Sequence, residues 1–140
     1  MKVSIHTKQA PTAIGPYSQA VEQHGMIFCS GQIGLDPASG NLVEGGIEFE
    51  TRRALQNLGE VLAAAGVDFV DVVKITIFMI DLGEFEIVNR IYGEHFSPPY
   101  PARSTVQVAA LPRKARIEID AIAILPAHCC ALDDLIAEHR

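Results

Sequence analysis

An arginine and a glutamate lie in two strand-like segments near the end of the chain. Arg103 is the first residue of "RSTVQV", and Thr105 lies on the same face of that segment. Glu118 lies within "RIEIDAIA". Such alternation of residue types predicts half-buried strands. If the segments pair as an antiparallel hairpin with their apolar faces together, Arg103 and Glu118 share the other face, one or two residue pairs apart. They can then form an anion pocket with an acid or base beside it. The alternative is a surface ion pair worth about 0–1 kcal/mol.

Three other polar side chains are candidates for lining a site. Asn89 follows Phe85 by four residues, which places an amide on the apolar face of a predicted helix, where it needs hydrogen-bond partners. A satisfied structural amide is the commoner role. Ser30 precedes Gly31, where a ligand can approach the backbone closely, and turn formation is the alternative. Tyr17 serves either as a core aromatic residue or as a polar handle.

Length and composition indicate a single globular domain. The chain has 140 residues, of which 49% are hydrophobic and 20% are charged. A domain of this size can bury a core without metals or disulfides. No apolar run reaches the roughly 20 residues that cross a bilayer, and the first residues lack the apolar segment of a secretory signal. We therefore expect a cytoplasmic protein that has no membrane partner.

The distribution of charge does not favour a nucleic-acid partner. The net charge is −6, and the densest basic stretch is "PRKAR" at 112–116. Proteins that bind nucleic acids usually present a basic patch or stripe. The sequence therefore argues against a nucleic-acid partner, and a local basic patch is the alternative.

The cysteines and the known short motifs predict neither a metal nor a cofactor. Cys29, Cys129 and Cys130 are expected to be free thiols, and Cys29 lies in the apolar "MIFCSG", where it fits as a small buried residue. No second pair of ligands accompanies "AHCC" at zinc spacing. The chain also lacks the GxSxG, GxGxxG, P-loop and HExxH motifs.

Periodicity predicts an α+β sandwich with both helices on one face of a mixed sheet. The predicted elements are strands at 18–23 and 26–31, a helix at 47–65, a strand at 71–80, a helix that begins after Asp81 and ends before Pro98, and strands at 103–109 and 116–124. In the first helix Leu55, Leu58 and Leu62 recur at steps of three and four residues, and Gly66 is placed to end it.

Four stretches of the sequence resemble the RidA/YjgF family of reactive-intermediate deaminases, also known as L-PSP endoribonucleases. They are "IGPYSQAV", "SGQIGLDPASG", "VNRIYGEHF" and "PARSTVQVAALPRKARIEIDAIA", and the resemblance covers about residues 3–125. It implies a chorismate-mutase-like (YjgF-like) α+β fold and a homotrimer with clefts between subunits. It also implies hydrolysis of enamines and imines such as 2-aminoacrylate to 2-keto acids and ammonia, without a cofactor. One RidA-like domain then spans 1–140, with a core at 3–125 and an extension at 126–140.

The same resemblance implies a role for each candidate residue. Arg103 would bind the substrate carboxylate, and Glu118 would position or activate water. Tyr17, Ser30 and Asn89 would line the cleft, with Tyr17 of one chain near the Arg103 cleft of the next. Thr105 would lie there too, where many members have cysteine. The alternatives are a keto-acid-binding or chaperone-like trimer and a ribonuclease for single-stranded RNA, which the acidic balance disfavours.

Overall fold

The computed structural model describes residues 1–126, which form a mixed six-stranded sheet with two helices packed on one face. The strands are β1 (Val3–Ile5), β2 (Ala20–Gln23), β3 (Met26–Gln32), β4 (Val72–Met79), β5 (Ala102–Gln107) and β6 (Ile117–Ile124), and the helices are α1 (Ile47–Ala64) and α2 (Phe85–Gly93). The predicted α+β class is confirmed, and the other predicted elements agree with the structure to within two residues at their ends. The second predicted helix is too long: a 3₁₀ turn at Leu82–Glu84 follows Asp81, and α2 begins at Phe85 and ends at Gly93, well before Pro98. Only β1 was not predicted. The predicted extension at 126–140 lies outside the described residues except for its first residue, and Cys129 and Cys130 are therefore not described.

The sheet has the strand order β1-β2-β3-β6-β4-β5. Every neighbouring pair is antiparallel except β4 and β5, which run parallel. The chain passes from β4 through α2 to β5, the crossover that parallel neighbours require. It then returns so that β6 inserts between β3 and β4. As a result, β5 remains at one edge of the sheet.

The predicted hairpin between the last two strands is wrong. β5 pairs with β4, and β6 pairs with β3 and β4. Just beyond β5, the Val108 amide donates a hydrogen bond to the Met79 carbonyl at 2.8 Å, so the chain stays beside β4. A hairpin and a strand insertion require the same alternation in each strand. The pairing was therefore decided by contacts that the local pattern does not contain.

This pairing also reverses the predicted relation between the arginine and the glutamate. Thr105 lies opposite Ile77, and Ile77 lies opposite Ile119, so these three side chains share one face of the sheet. That face is the buried one, because Ile77 and Ile119 are 0% exposed. Arg103 lies two residues from Thr105 and shares this face, whereas Glu118 neighbours Ile119 and lies on the other.

The core lies between the sheet and the two helices. Leu55, Leu58 and Leu62 of α1 are 0% exposed, which confirms the predicted apolar stripe. Gly66 has a φ of +82° and its amide donates to the Ala63 carbonyl, so it ends the helix as predicted. Within residues 1–126, neither helix is long and apolar enough to span a membrane.

Candidate functional site

Arg103 lies in a crevice at the sheet edge, between β5 and α2. This arginine crevice has a volume of about 450 Å³, and its lining comprises Asn89, Tyr92, Gly93, Tyr100, Pro101 and Arg103. The Arg103 guanidinium carbon lies 5.4 Å from the centre of the Phe85 ring and 4.7 Å from that of the Tyr92 ring. Aromatic faces attract cations at such distances. The arginine is thus exposed to solvent but held in place by α2.

Asn89 bonds directly to this arginine. Arg103 Nη1 donates a hydrogen bond to Asn89 Oδ1 at 2.8 Å. The expected burial of Asn89 on the apolar face of its helix is wrong, since the residue is exposed at the rim of the crevice. The bond uses one of the five N–H groups of the guanidinium. The others remain for a ligand, and their planar arrangement suits a carboxylate.

Thr105 lies two residues beyond Arg103 on the same face of β5. Its hydroxyl is buried, and no partner for it is found within the described residues. A buried hydroxyl without a hydrogen bond costs free energy. A hydrogen bond to the Thr105 hydroxyl would therefore stabilise the binding of a ligand or of another copy of the chain.

A second crevice contains Glu118 together with Tyr17 and Ser30. This glutamate crevice has a volume of about 600 Å³, and Gly31 and Arg113 also line it. The Ser30 hydroxyl donates to the Ser18 carbonyl at 2.6 Å, which leaves its oxygen free to accept. Tyr17 is 54% exposed, and its hydroxyl accepts a hydrogen bond from the Ile14 amide at 3.4 Å. The structure therefore brings three of the predicted site residues together.

The Glu118 carboxyl group occupies the space that a side chain at position 31 would need. A Cβ atom added to Gly31 would lie 2.7 Å from Glu118 Cδ and 2.8 Å from Oε2, far inside contact distance. Partial burial, and to a lesser extent the negative charge of Asp120, raises the pKa of Glu118 above its ordinary value. Gly31 thus allows a carboxyl group with a raised pKa to lie against the backbone.

We expect Gly31→Ala to displace this carboxyl group towards solvent and so to lower the pKa of Glu118, because burial is the main cause of its rise. Titration of the Glu118 side-chain carbon by NMR measures this. The same measurement on Glu118→Gln is the control, since that variant lacks the titrating group and so identifies the Glu118 signal. An unchanged pKa in Gly31→Ala would contradict the positioning role of the glycine.

A buried glutamine that the sequence pattern does not indicate lines one wall of the glutamate crevice. Gln19 is 2% exposed, and its Oε1 accepts from the Thr7 amide at 2.7 Å. Its Nε2 donates to the Thr7 and Pro11 carbonyls at 3.0 and 2.8 Å. These hydrogen bonds hold the loop at 7–11 in place, and Pro11 at the end of that loop lines the crevice. The sequence gives no signal for this role beyond the position of Gln19 in the predicted strand at 18–23.

The two crevices do not combine within one chain. Asn89 and Thr105 accompany Arg103, whereas Tyr17 and Ser30 accompany Glu118. Because Arg103 and Glu118 project from opposite faces of the sheet, no side-chain rotation brings them onto one ligand. Among residues 1–126, no cluster of three or more His, Cys, Asp or Glu side chains offers a metal site.

Solved structures share this fold. RidA from an Antarctic Psychrobacter has a TM-score of 0.85 at 39% sequence identity, with 88% of this chain and 99% of that chain covered. Escherichia coli TdcF, in a structure with bound serine, has a TM-score of 0.81 at 40% identity, with coverages of 87% and 98%. The sheet and its two helices are therefore those of the YjgF-like α+β proteins.

Sequence comparison then shows the family. The family described as Endoribonuclease L-PSP matches residues 7–125. The human 2-iminobutanoate/2-iminopropanoate deaminase is 55% identical over 120 residues, which are 86% of this chain and 88% of the human protein. The chain belongs to the RidA/YjgF family, and the resemblance found in its motifs is confirmed.

Proposed function

We propose that this protein hydrolyses reactive 2-imino acids and their enamine forms, such as 2-iminopropanoate and 2-aminoacrylate, to 2-keto acids and ammonia. We further propose that each site joins the arginine crevice of one copy to the glutamate crevice of the next, within a cyclic homotrimer. The observation that carries this proposal is the division of complementary groups between two faces of one sheet. The 55% identity to the human imine deaminase supports the choice of reaction.

The open face of the sheet supports self-association. On the side away from the helices, Phe28 and Val106 are each 40% exposed, and Met26 is 37% exposed. Apolar side chains grouped on one surface favour burial against another protein. In a closed cyclic assembly every copy uses the same two surfaces, so each crevice meets its complement once around the ring.

Arg103 supplies the recognition of the substrate carboxylate. Its planar guanidinium can form two parallel hydrogen bonds to a carboxylate, and Asn89 and the two aromatic rings hold it in orientation. The structure of the E. coli relative contains bound serine. Serine is a three-carbon amino acid, similar in size to 2-iminopropanoate. The net charge of −6 does not favour RNA as the substrate.

Glu118 acts on the water that attacks the imine carbon. As the water oxygen bonds to that carbon, the electron pair of the C=N bond moves to nitrogen, and Glu118 takes a proton from the water. Glu118 returns this proton to the nitrogen, the C–N bond breaks to release ammonia, and the hydroxyl becomes the carbonyl as its proton passes to the departing ammonia. Overall, an iminium and water give a keto acid and ammonium. The raised pKa of Glu118 suits a group that both takes and gives a proton.

We expect Arg103→Lys and Glu118→Gln chains to complement one another when they are co-expressed. Each shared site needs an intact arginine crevice from one chain and an intact glutamate crevice from its neighbour. In random equimolar trimers both are present in roughly a quarter of the sites, so about a quarter of wild-type turnover should return. Pyruvate release from 2-aminoacrylate, supplied by a serine dehydratase, is the measurement.

The two variants purified separately and mixed without exchange of subunits are the control. Mixed trimers that are no more active than this control would contradict a site shared between copies. Wild-type protein that does not accelerate pyruvate release would contradict the deaminase assignment itself.

A further inference from the structure

We propose that Tyr92 is a positioning residue whose ring fixes the plane of the Arg103 guanidinium for the carboxylate of the substrate. This inference rests on the proposed function. The guanidinium carbon lies 4.7 Å from the centre of the Tyr92 ring, closer than the 5.4 Å to the Phe85 ring. Tyr92 is 6% exposed and stacks on Phe96, with ring centres 4.4 Å apart. The ring is therefore a fixed surface.

The three supports of the arginine come from one stripe of α2. Phe85, Asn89 and Tyr92 are spaced by four and three residues, so they lie on the same side of the helix. The amide fixes one end of the guanidinium by a hydrogen bond of 2.8 Å, and the rings fix its plane. A long side chain on an edge strand loses much rotational freedom when it binds a ligand. Support given before binding reduces that loss.

The hydroxyl of Tyr92 does not explain its place here. It is buried, and it has no hydrogen-bond partner within residues 1–126. Tyrosine hydroxyls that are buried usually have one. The feature that meets Arg103 is the face of the ring, which phenylalanine would keep and leucine would remove.

The experiment compares Tyr92→Leu with Tyr92→Phe. Pyruvate affinity is measured by calorimetry, and kcat and KM are measured with 2-aminoacrylate. We expect Tyr92→Leu to weaken pyruvate binding about tenfold and to raise KM about as much, because the cation–ring attraction is lost. Most of this loss should be recovered in Tyr92→Phe. A change confined to kcat in Tyr92→Leu would contradict a role in carboxylate binding.

Ile91→Val is the control for packing. Ile91 is 0% exposed on α2, and it does not line the arginine crevice. We expect its melting temperature to fall, while pyruvate affinity stays at the wild-type value. A loss of affinity in Ile91→Val as large as that in Tyr92→Leu would show that Tyr92 is only structural. Equal losses in Tyr92→Phe and Tyr92→Leu would assign the effect to the hydroxyl.

The two proposals can fail separately. If wild-type protein binds pyruvate without deaminating 2-aminoacrylate, the proposed function fails, and the affinity series still decides the role of Tyr92. If wild-type protein deaminates but Tyr92→Leu binds pyruvate normally, only the positioning role fails. Wild-type protein that neither binds pyruvate nor turns over 2-aminoacrylate overturns both.

Discussion

Arg103→Lys is expected to lower kcat/KM for 2-iminopropanoate by about 10²-fold or more while the protein stays folded. Lysine keeps the positive charge but loses the planar pair of donors that matches a carboxylate. It also loses the flat group that lies over the Phe85 and Tyr92 rings. A small misplacement of the reacting carbon relative to water reduces the rate steeply. Arg103 is exposed on an edge strand, so the melting temperature should change little.

Arg90→Lys is the control for this substitution. Arg90 is an exposed arginine on α2, next to Asn89, and it does not line the arginine crevice. The assay measures pyruvate release alongside a melting curve for both variants. Near-normal turnover in Arg103→Lys would show that two-point binding of the carboxylate is not the role of the arginine.

Glu118→Gln should lower turnover by about 10²–10⁴-fold, the usual loss when an acid–base group is removed. Glutamine keeps the size of the side chain but cannot take a proton. Pyruvate affinity should survive, since Arg103 still binds the carboxylate. In wild-type protein the raised pKa of Glu118 implies that activity falls as the pH drops through that value, because the carboxylate must be ionised to accept a proton. The variant should lack this acid limb.

The neighbouring carboxylate on the same strand face gives the control. The charge of Asp120 contributes to the raised pKa of Glu118. Asp120→Asn should therefore move the acid limb to lower pH and leave the maximal rate largely intact. If Glu118 served only as an ion-pair partner of Arg103 from the next copy, Glu118→Gln would lower turnover modestly and raise pyruvate affinity. Full turnover in Glu118→Gln would end its assignment to hydrolysis.

The helices and the chemical residues could be predicted because their signals are local. The stripe of Leu55, Leu58 and Leu62 repeats within one element, and all three side chains are buried as expected. Arg103 and Glu118 are recognisable as candidate site residues because each is a charged group within an alternating strand. Their membership in separate crevices was not predicted.

The rest depended on contacts between distant segments. The same alternation in β5 fits a hairpin with β6 or an edge position beside β4, and only the whole sheet decides between them. The alternation in β5 places Arg103 and Thr105 on the face opposite the apolar one, yet Thr105 lies on the helix side of the sheet, opposite the buried Ile77. Similarly, the sequence around Gly31 does not show that the Glu118 carboxyl group lies where a side chain at position 31 would be.

The placement of Arg103 on an edge strand, with Glu118 on the other face of the sheet, ties the proposed catalysis to the amount of protein present. If every complete site needs two neighbouring chains, dilution removes sites together with trimers, by mass action. Turnover per chain would then increase with protein concentration until assembly saturates, and a steady excess of free chains would contribute nothing. The amount of this protein in a cell would therefore set the capacity to clear reactive imines. That capacity would rise steeply above a threshold concentration of the protein instead of in proportion to it.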